Sequence, residues 1–360
     1  GASNTAVGNN ALKANTTADE NTAVGFCALK ANTTGAQNTA LGALSLDANT
    51  TGAQNTAVGV EALGANTTGA CNVSVGFATM VANTTGCYNT AIGHRALQTN
   101  TTAINNTAVG LCAMALNTTG AKNVAVGAGA LERNTTGAEN VAVGRDAMLL
   151  NTTGGGNTAV GLSALDSNTT ADNNSAFGNG ALAANTTGAN NTGIGKNALE
   201  SNTTGVENLA VGKDSMAATT TGQGNTAVGT QSLCKNTTGT SNTGIGLGAL
   251  FDNTTGICNI AIGASSLENN TTANNNTAIG NKTLFDNTVG FSNVAIGAYA
   301  GQNVTTGDCN VLIGNDAGEN LTTGNNNIAL GRGAGTDAVG NIVTTNNFII
   351  IGNNSHTNAK

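Results

Sequence analysis

The chain has no proline and no tryptophan, and aromatic side chains make up only 2% of its residues. A conventional globular core, built from bulky apolar groups, cannot be assembled from this stock. Charge is scarce as well. Charged residues amount to 9%, the net charge is −7, and no run of Lys or Arg exists to neutralise phosphates or an anionic bilayer. That composition excludes nucleic-acid and membrane-surface partners. No apolar stretch approaches the length of a membrane span or a signal peptide, so membrane insertion is not expected.

Cysteine is present but unorganised. The seven cysteines (Cys27, Cys71, Cys87, Cys112, Cys234, Cys258 and Cys309) occur singly and in odd number, without a Cys-x-x-Cys or Cys/His cluster. They form no disulfide framework, and neither a zinc nor a redox site is expected. Only Cys71 and Cys87 fall near one corner of adjacent repeats, where a bridge or two inert thiols are both open readings.

What the chain does have is a period. Asn-Thr-Ala-Val-Gly at Asn4 to Gly8 returns at Asn21, Asn38 and Asn55 and continues, with small changes, every 17 residues to Asn310 and Asn327. Such a unit is too short for helix pairs but fits one turn of a β-solenoid whose coils stack about 4.8 Å apart. The expected fold is therefore all-β, a parallel β-solenoid of about twenty coils forming one elongated domain, a rod roughly 100 Å long. Gly1 already falls inside a repeat, so the chain reads as cut from something longer, with flanking sequence or another copy capping the open coil.

Numbered from its first Asn, the consensus is N-T-A-V-G-x-x-A-L-x-x-N-T-T-G-x-x. Columns 2 and 4 alternate with small column 3, the period-2 pattern of a strand with one packed face. Column 4, Val7, Val24 and Val58 among others, is taken as inward-facing, so Val160→Asp should disrupt its coil whereas an Asp in column 10, as at Asp166, is tolerated. Column 9 (Leu12, Leu63) supplies a second apolar ladder. The Gly of column 5 (Gly8, Gly25, Gly59) marks a corner that needs positive φ or close backbone approach. Asn in column 1 (Asn4, Asn21, Asn55) and column 12 (Asn15, Asn66) can bond to the same residue in neighbouring coils. Before the final tail, every charge falls in columns 6, 7, 10, 11, 16 or 17, which are read as the solvent face and the place for any partner recognition.

The regular coils run over residues 1–297. Variant coils of the same period follow over 298–339, where Gly301, Gly318 and Gly335 replace the column-9 Leu, and an irregular closing segment is expected over 340–360. A coil of this kind buries few large aliphatic groups against roughly 1.5 kcal/mol of ordering entropy per residue, so a lone chain is marginal. A parallel homotrimer is favoured over a monomer, with a stacked filament as the other arrangement.

The strand core, seen at Asn105 to Gly110, Asn123 to Gly127 and Asn293 to Gly297, resembles the N-S-V-A-I-G coil of YadA-like heads in trimeric autotransporter adhesins. The full 17-residue unit is similar to repeats of phage tail fibres and large surface fibre proteins. The resemblance covers nearly the whole chain. It implies a left-handed parallel β-roll, an intertwined or side-by-side homotrimer, a location outside the cell or on a virion, and attachment to a receptor or glycan. The adhesin-head period of about fourteen residues is shorter than that of this chain, which also adds an Ala-Leu pair.

Catalysis and cofactors are not expected, because an unbroken period leaves no inserted loops to build a cleft. His94 and His356 lack a fixed carboxylate or nucleophile neighbour, Gly-x-Gly pieces such as Gly193-Ile194-Gly195 are corners, and acids are too sporadic for calcium coils. Asn-Thr-Thr (Asn15, Asn32, Asn49, Asn66) matches the glycosylation acceptor, although packing also accounts for its repetition. The repeated Thr raises an ice-binding alternative beside carbohydrate binding, weakened because consecutive Thr in columns 13 and 14 would point to opposite faces.

Overall fold

A computed structural model describes residues 1–336 and 341–352. The chain divides into two units, 1–187 and 188–360, and each is a parallel β-solenoid. In the first, β1 (Thr5–Val7) to β11 (Ser175–Phe177) are three-residue strands on columns 2 to 4. Successive strands within the unit pair in parallel, Thr5 with Thr22 and Val160 with Phe177. In the second, β12 (Thr192–Ile194) to β21 (Ile349–Ile351) stack in the same way. Its last pair joins Ile328 to Ile349, so four extra residues are absorbed before the final strand. No helix occurs among the described residues. Of the closing segment expected over 340–360, residue 340 and residues 353–360, including His356, lie outside the described residues.

Three-residue strands alone would be a thin scaffold, but the main chain bonds between coils around most of its circuit. In the second coil Thr22 N donates to Asn38 O, Leu29 N to Ser45 O and Ala31 N to Asp47 O, all on the next coil. Gly25, Cys27 and Gln37 donate backward to Val7, Asn9 and Asp19. This reversal of peptide direction requires left-handed backbone between right-handed neighbours. Cys27, Leu29 and Gln37 accordingly have φ of 57°, 49° and 60°, a pattern that returns in coil after coil. Leu in that region costs on the order of 1 kcal/mol, which the paired N–H and C=O groups offset. At the column-5 corner the demand is absolute: Gly25 has φ +141°, and a Cβ there would lie 2.4 Å from Gly42 O.

The interior is narrow. Column 9 fills it with Leu29, Leu46, Leu63 and, as volume-conserving replacements, Met80, Met114, Met148 and Met216, all fully buried. Opposite them the strand contributes only its column-3 Ala, as at Ala23, Ala40 and Ala159, and column 8 adds Ala28 and Ala62, also fully buried. The expectation that column 4 faces inward is overturned. Val7, Val24, Val58 and Val160 stand on the outer face with column 2, because Leu or Met in column 9 leaves room across the coil only for a small side chain, Ala or at most Ser74.

The remaining core is amide. Asn38 Nδ2 donates to Asn21 Oδ1 and, across its own coil, to Gly52 O; Asn49 Nδ2 donates to Asn32 Oδ1 and to the same Gly52 O. One column-15 carbonyl thus takes two amides and ties the two Asn columns together. Asn21, Asn55 and Asn66 are fully buried, whereas Asn4, Asn15 and Leu12 in the first coil are half-buried.

In the variant coils this interior is rebuilt. Gly301 and Gly318 remove the column-9 side chain, Leu312 enters from the strand in place of Ala, and Val304 and Leu321 replace the column-12 Asn. A Cβ on Gly301 or Gly318 would come within 2.5 or 2.6 Å of Leu312. The large side chain has moved to the opposite wall, and the apolar volume is kept.

Candidate interaction surface

With Ala turned inward, the strands present columns 2 and 4 outward, level from coil to coil. Column 4 is aliphatic or aromatic in every strand: Val, Leu or Ile, with Phe177 the one aromatic. Val7 is 57% exposed, Leu41 48% and Ile262 37%. Column 2 holds Thr (Thr5, Thr22, Thr39, Thr56, Thr90), Ser175 or aliphatic residues (Val73, Val124, Val141, Leu209, Ile260). Neither column carries a charge.

The other columns are mixed: polar residues predominate, but column 6 exposes Phe26, Val60, Phe77, Leu111, Leu162 and Leu247, and column 16 exposes Ile104, Ile257 and Phe291. Column-13 hydroxyls bond the next coil, Thr33 Oγ1 to Thr50 O at 3.0 Å, while column-14 Thr34 is exposed. In column 16 an acid or amide caps the N–H of the preceding coil, as Asp172 does for Gly155, Asn274 for Ile257 and Asp308 for Phe291. The column-12 Asn of the Asn-Thr-Thr triplets lies inside: Asn66 Nδ2 donates to Asn49 Oδ1 at 2.8 Å and to Gly69 O at 2.9 Å. A glycan on that nitrogen is incompatible with the folded coil.

Cys71 and Cys87 are free thiols directed at different partners. Cys71 Sγ lies 3.2 Å from Gln54 Oε1, and Cys87 Sγ accepts from Ala70 N at 3.3 Å. Burial pushes the Cys112 and Cys234 thiols up, the opposite of nucleophilic activation. His94 stacks on Phe77 one coil away, with ring centroids 5.4 Å apart, next to the column-4 face. Gly193 and Gly244 replace the inward Ala, and Ser232 Oγ, donating to Gly244 O at 2.8 Å, occupies the space a Cβ would need. No cluster of three metal-capable side chains occurs among the described residues. No helix there is long and apolar enough to cross a membrane.

A shallow notch of about 410 Å³ opens where Gly155 and Gly156 remove two side chains between Glu139 and Asp172. Asp172 is already committed to Gly155 N, and Glu139 to Lys122 at 3.0 Å. The sequence did not disclose the two-column strand face, although the free size of column 4 was a usable signal. No protein-family model matches the chain, and no curated protein is similar to it.

Proposed function

We propose that the chain is a non-enzymatic structural segment of an extracellular or virion-borne fibre, whose copies associate side by side, as a homotrimer, through the outward strand face. The observation that carries this reading is the apolar column 4 of each unit, in register from strand to strand and free of charge. Contiguous apolar surface above a few hundred Å² marks an interaction site. At about 4.8 Å per coil and about 10 Å of strand, each unit offers a strip of roughly 500 Å², within the range that marks an interaction site. A left-handed winding and a receptor or glycan attached through the variable columns belong to the same proposal, on the strength of the resemblance to adhesin heads and tail fibres.

The test is the mass in solution by light scattering coupled to size exclusion, for the chain itself and for Ile92→Asp with Ile262→Asp. Three chain masses falling to one, with unchanged circular dichroism, is the expected result. A single-chain mass for the unaltered protein overturns the proposal. One observation favours a second reading: Thr5, Thr22, Thr39 and Thr56 are level on the outer face of four successive coils, a hydroxyl row suited to ordering water. Thermal hysteresis in a monomeric sample would select it.

A further inference from the structure

The amide ladder of column 12 has a direction. Each Asn Nδ2 donates to the Oδ1 one coil back, as Asn83 does to Asn66 and Asn253 to Asn236, both at 2.8 Å, and also to the column-15 carbonyl of its own coil. Such bonds run from Asn32 to Asn185 in the first unit and from Asn253 to Asn287 in the second. From Asn15 to Asn287 every coil has Asn in this column except one, which has Thr219.

Thr219 is fully buried, and its Oγ1 has no partner. One hydroxyl cannot make the two donated bonds of an amide NH2. Gly222 O receives the amide of Asn208 at 2.8 Å but none from its own column 12, whereas Gly52 O takes two. Asn236 Nδ2 keeps Gly239 O at 3.1 Å and has no amide oxygen one coil back. Column 1 is unbroken at this height, since Asn225 Nδ2 donates to Asn208 Oδ1 at 3.1 Å, so the coil is held on one side only.

The outer turn of the same coil is thin as well. Columns 10 and 11 are Ala217 and Ala218, and column 17 is Gly224, where an added Cβ would meet only Ser241 Oγ, at 3.9 Å. Elsewhere these columns bridge coils, as Gln54 Nε2 does to Gln37 Oε1 and Lys235 to Asp252. A second interruption shows what compensation looks like. Where the ladder ends, Asn287 Oδ1 is also buried without a partner, but Val304, Leu312 and Leu321 fill the coils that follow. Around Thr219 the interior is not rebuilt, since Ala210 and Met216 hold the ordinary column-3 and column-9 places.

We infer that the coil 208–224 is a built-in opening point, which unfolds locally before the coils on either side and releases residues 217–224. In a repeat array each coil is held by its two interfaces, so one poor rung weakens both while the rest stays folded. Each missing buried bond shifts the local opening equilibrium by about tenfold. The opening involves the interior, so it occurs whether or not the strand face is covered. A solenoid with one such coil yields, and is cut, at a defined place.

The test is native-state amide exchange of the full chain. It is read at Met216, Ala218 and Thr220, whose N–H groups bond Ser232, Cys234 and Thr237 of the next coil, and at Leu250, Asp252 and Thr254, which hold the same columns two coils on. After correction for intrinsic rates the first three should exchange roughly tenfold faster or more. Thr219→Asn should bring them level with the coil of Asn253 and abolish cleavage of the parent within 217–224 by a protease of broad specificity, while Asn253→Thr should create a second fast coil. Equal protection of the two coils in the parent overturns the opening point. Fast exchange that persists in Thr219→Asn also overturns it, because the gap in the ladder is then not the cause. Exchange that rises smoothly toward residue 352, with no maximum at this coil, does the same, being ordinary fraying. Should Asn253→Thr fail to fold, the comparison of Thr219→Asn with the parent still decides.

Discussion

Replacing Asn66 by Asp exchanges one NH2 for an oxygen and tests the amide ladder at its centre. Asn66 Oδ1 accepts from Asn83 Nδ2 at 2.8 Å, while Nδ2 donates to Asn49 Oδ1 at 2.8 Å and to Gly69 O at 2.9 Å. The side chain is fully buried. Aspartate keeps the first bond and sets an acceptor against two acceptors. Each orphaned group costs about 1–3 kcal/mol and the unpaired buried charge several more, so a loss near 5 kcal/mol is expected at neutral pH. Burial and two facing oxygens raise the folded-state pKa of the new carboxyl above its unfolded value. The folded chain then binds the proton more tightly, and stability falls as pH rises from the unfolded pKa through the folded one. Protonated, the carboxyl can donate one of the two lost bonds, so the variant should regain part of its stability in acid, whereas Asn66→Ala should show no such recovery. Since long repeat arrays do not melt as one unit, amide hydrogen exchange over residues 49–83 is the suitable assay. Equal protection of Asn66→Asp and the parent at pH 7, or an Asp variant more stable at pH 7 than in acid, would refute the ladder.

The direction of the strand is tested by Ala159→Asp and Val160→Asp: the first should cost several kcal/mol and open its coil, the second about 1 kcal/mol or less within one chain while abolishing association. Circular dichroism and solution mass separate the two effects, and unfolding by the Val160 substitution alone would reverse the assignment. Asp166 has a buried Oδ1 without a partner, and burial, with nearby Asp146, pushes its carboxyl up. Asp166→Asn should therefore stabilise at neutral pH, and the gap should close as pH falls through the raised pKa, because protonation then favours the folded parent; urea midpoints at two pH values measure it. Leu312→Ala should cost about 2–5 kcal/mol by opening space beside Gly301 and Gly318, and Gly318→Leu should restore a substantial part by returning the large side chain to column 9, a coupling visible in a double-mutant cycle.

The period, the parallel coil and the polar columns could be read from the sequence because a 17-residue repeat admits few folds and charges mark solvent. The sidedness of the strand could not be read by hydrophobicity. Thr-Ala-Val alternates identically whichever face is buried, and the larger apolar residue is the natural but mistaken choice for the core. Size tolerance carries the information instead: in β1–β20 column 3 holds Ala, Gly, Ser and one compensated Leu, with Ile350 only in the closing strand, whereas column 4 ranges from Val to Phe177. A column limited to small residues faces a wall, and one that accepts a phenyl ring faces open space. The left-handed leucines were also hidden, since nothing in a Leu signals positive φ; the recurrent Gly129 and Gly180 among the column-7 residues was a faint sign that the neighbouring corner demands it.

These facts bear on how such a chain acquires individuality. The interior is fixed by a ladder of Leu, Ala and Asn whose members bond or touch the same residue one coil away, so a change inside is felt by three coils at once. The polar columns can vary freely, but exposed pairs there, such as Lys122 with Glu139, contribute little energy. The strand face is both rich in burial energy and free of internal constraint, and column 6 adds exposed Phe26, Phe77, Leu111 and Leu247 beside it. On the proposed reading, a partner bound through apolar burial engages columns 2 and 4 together with column 6. Since those columns run level along a parallel ladder, the proposed association matches their spacing over many coils with the same ladder on another copy.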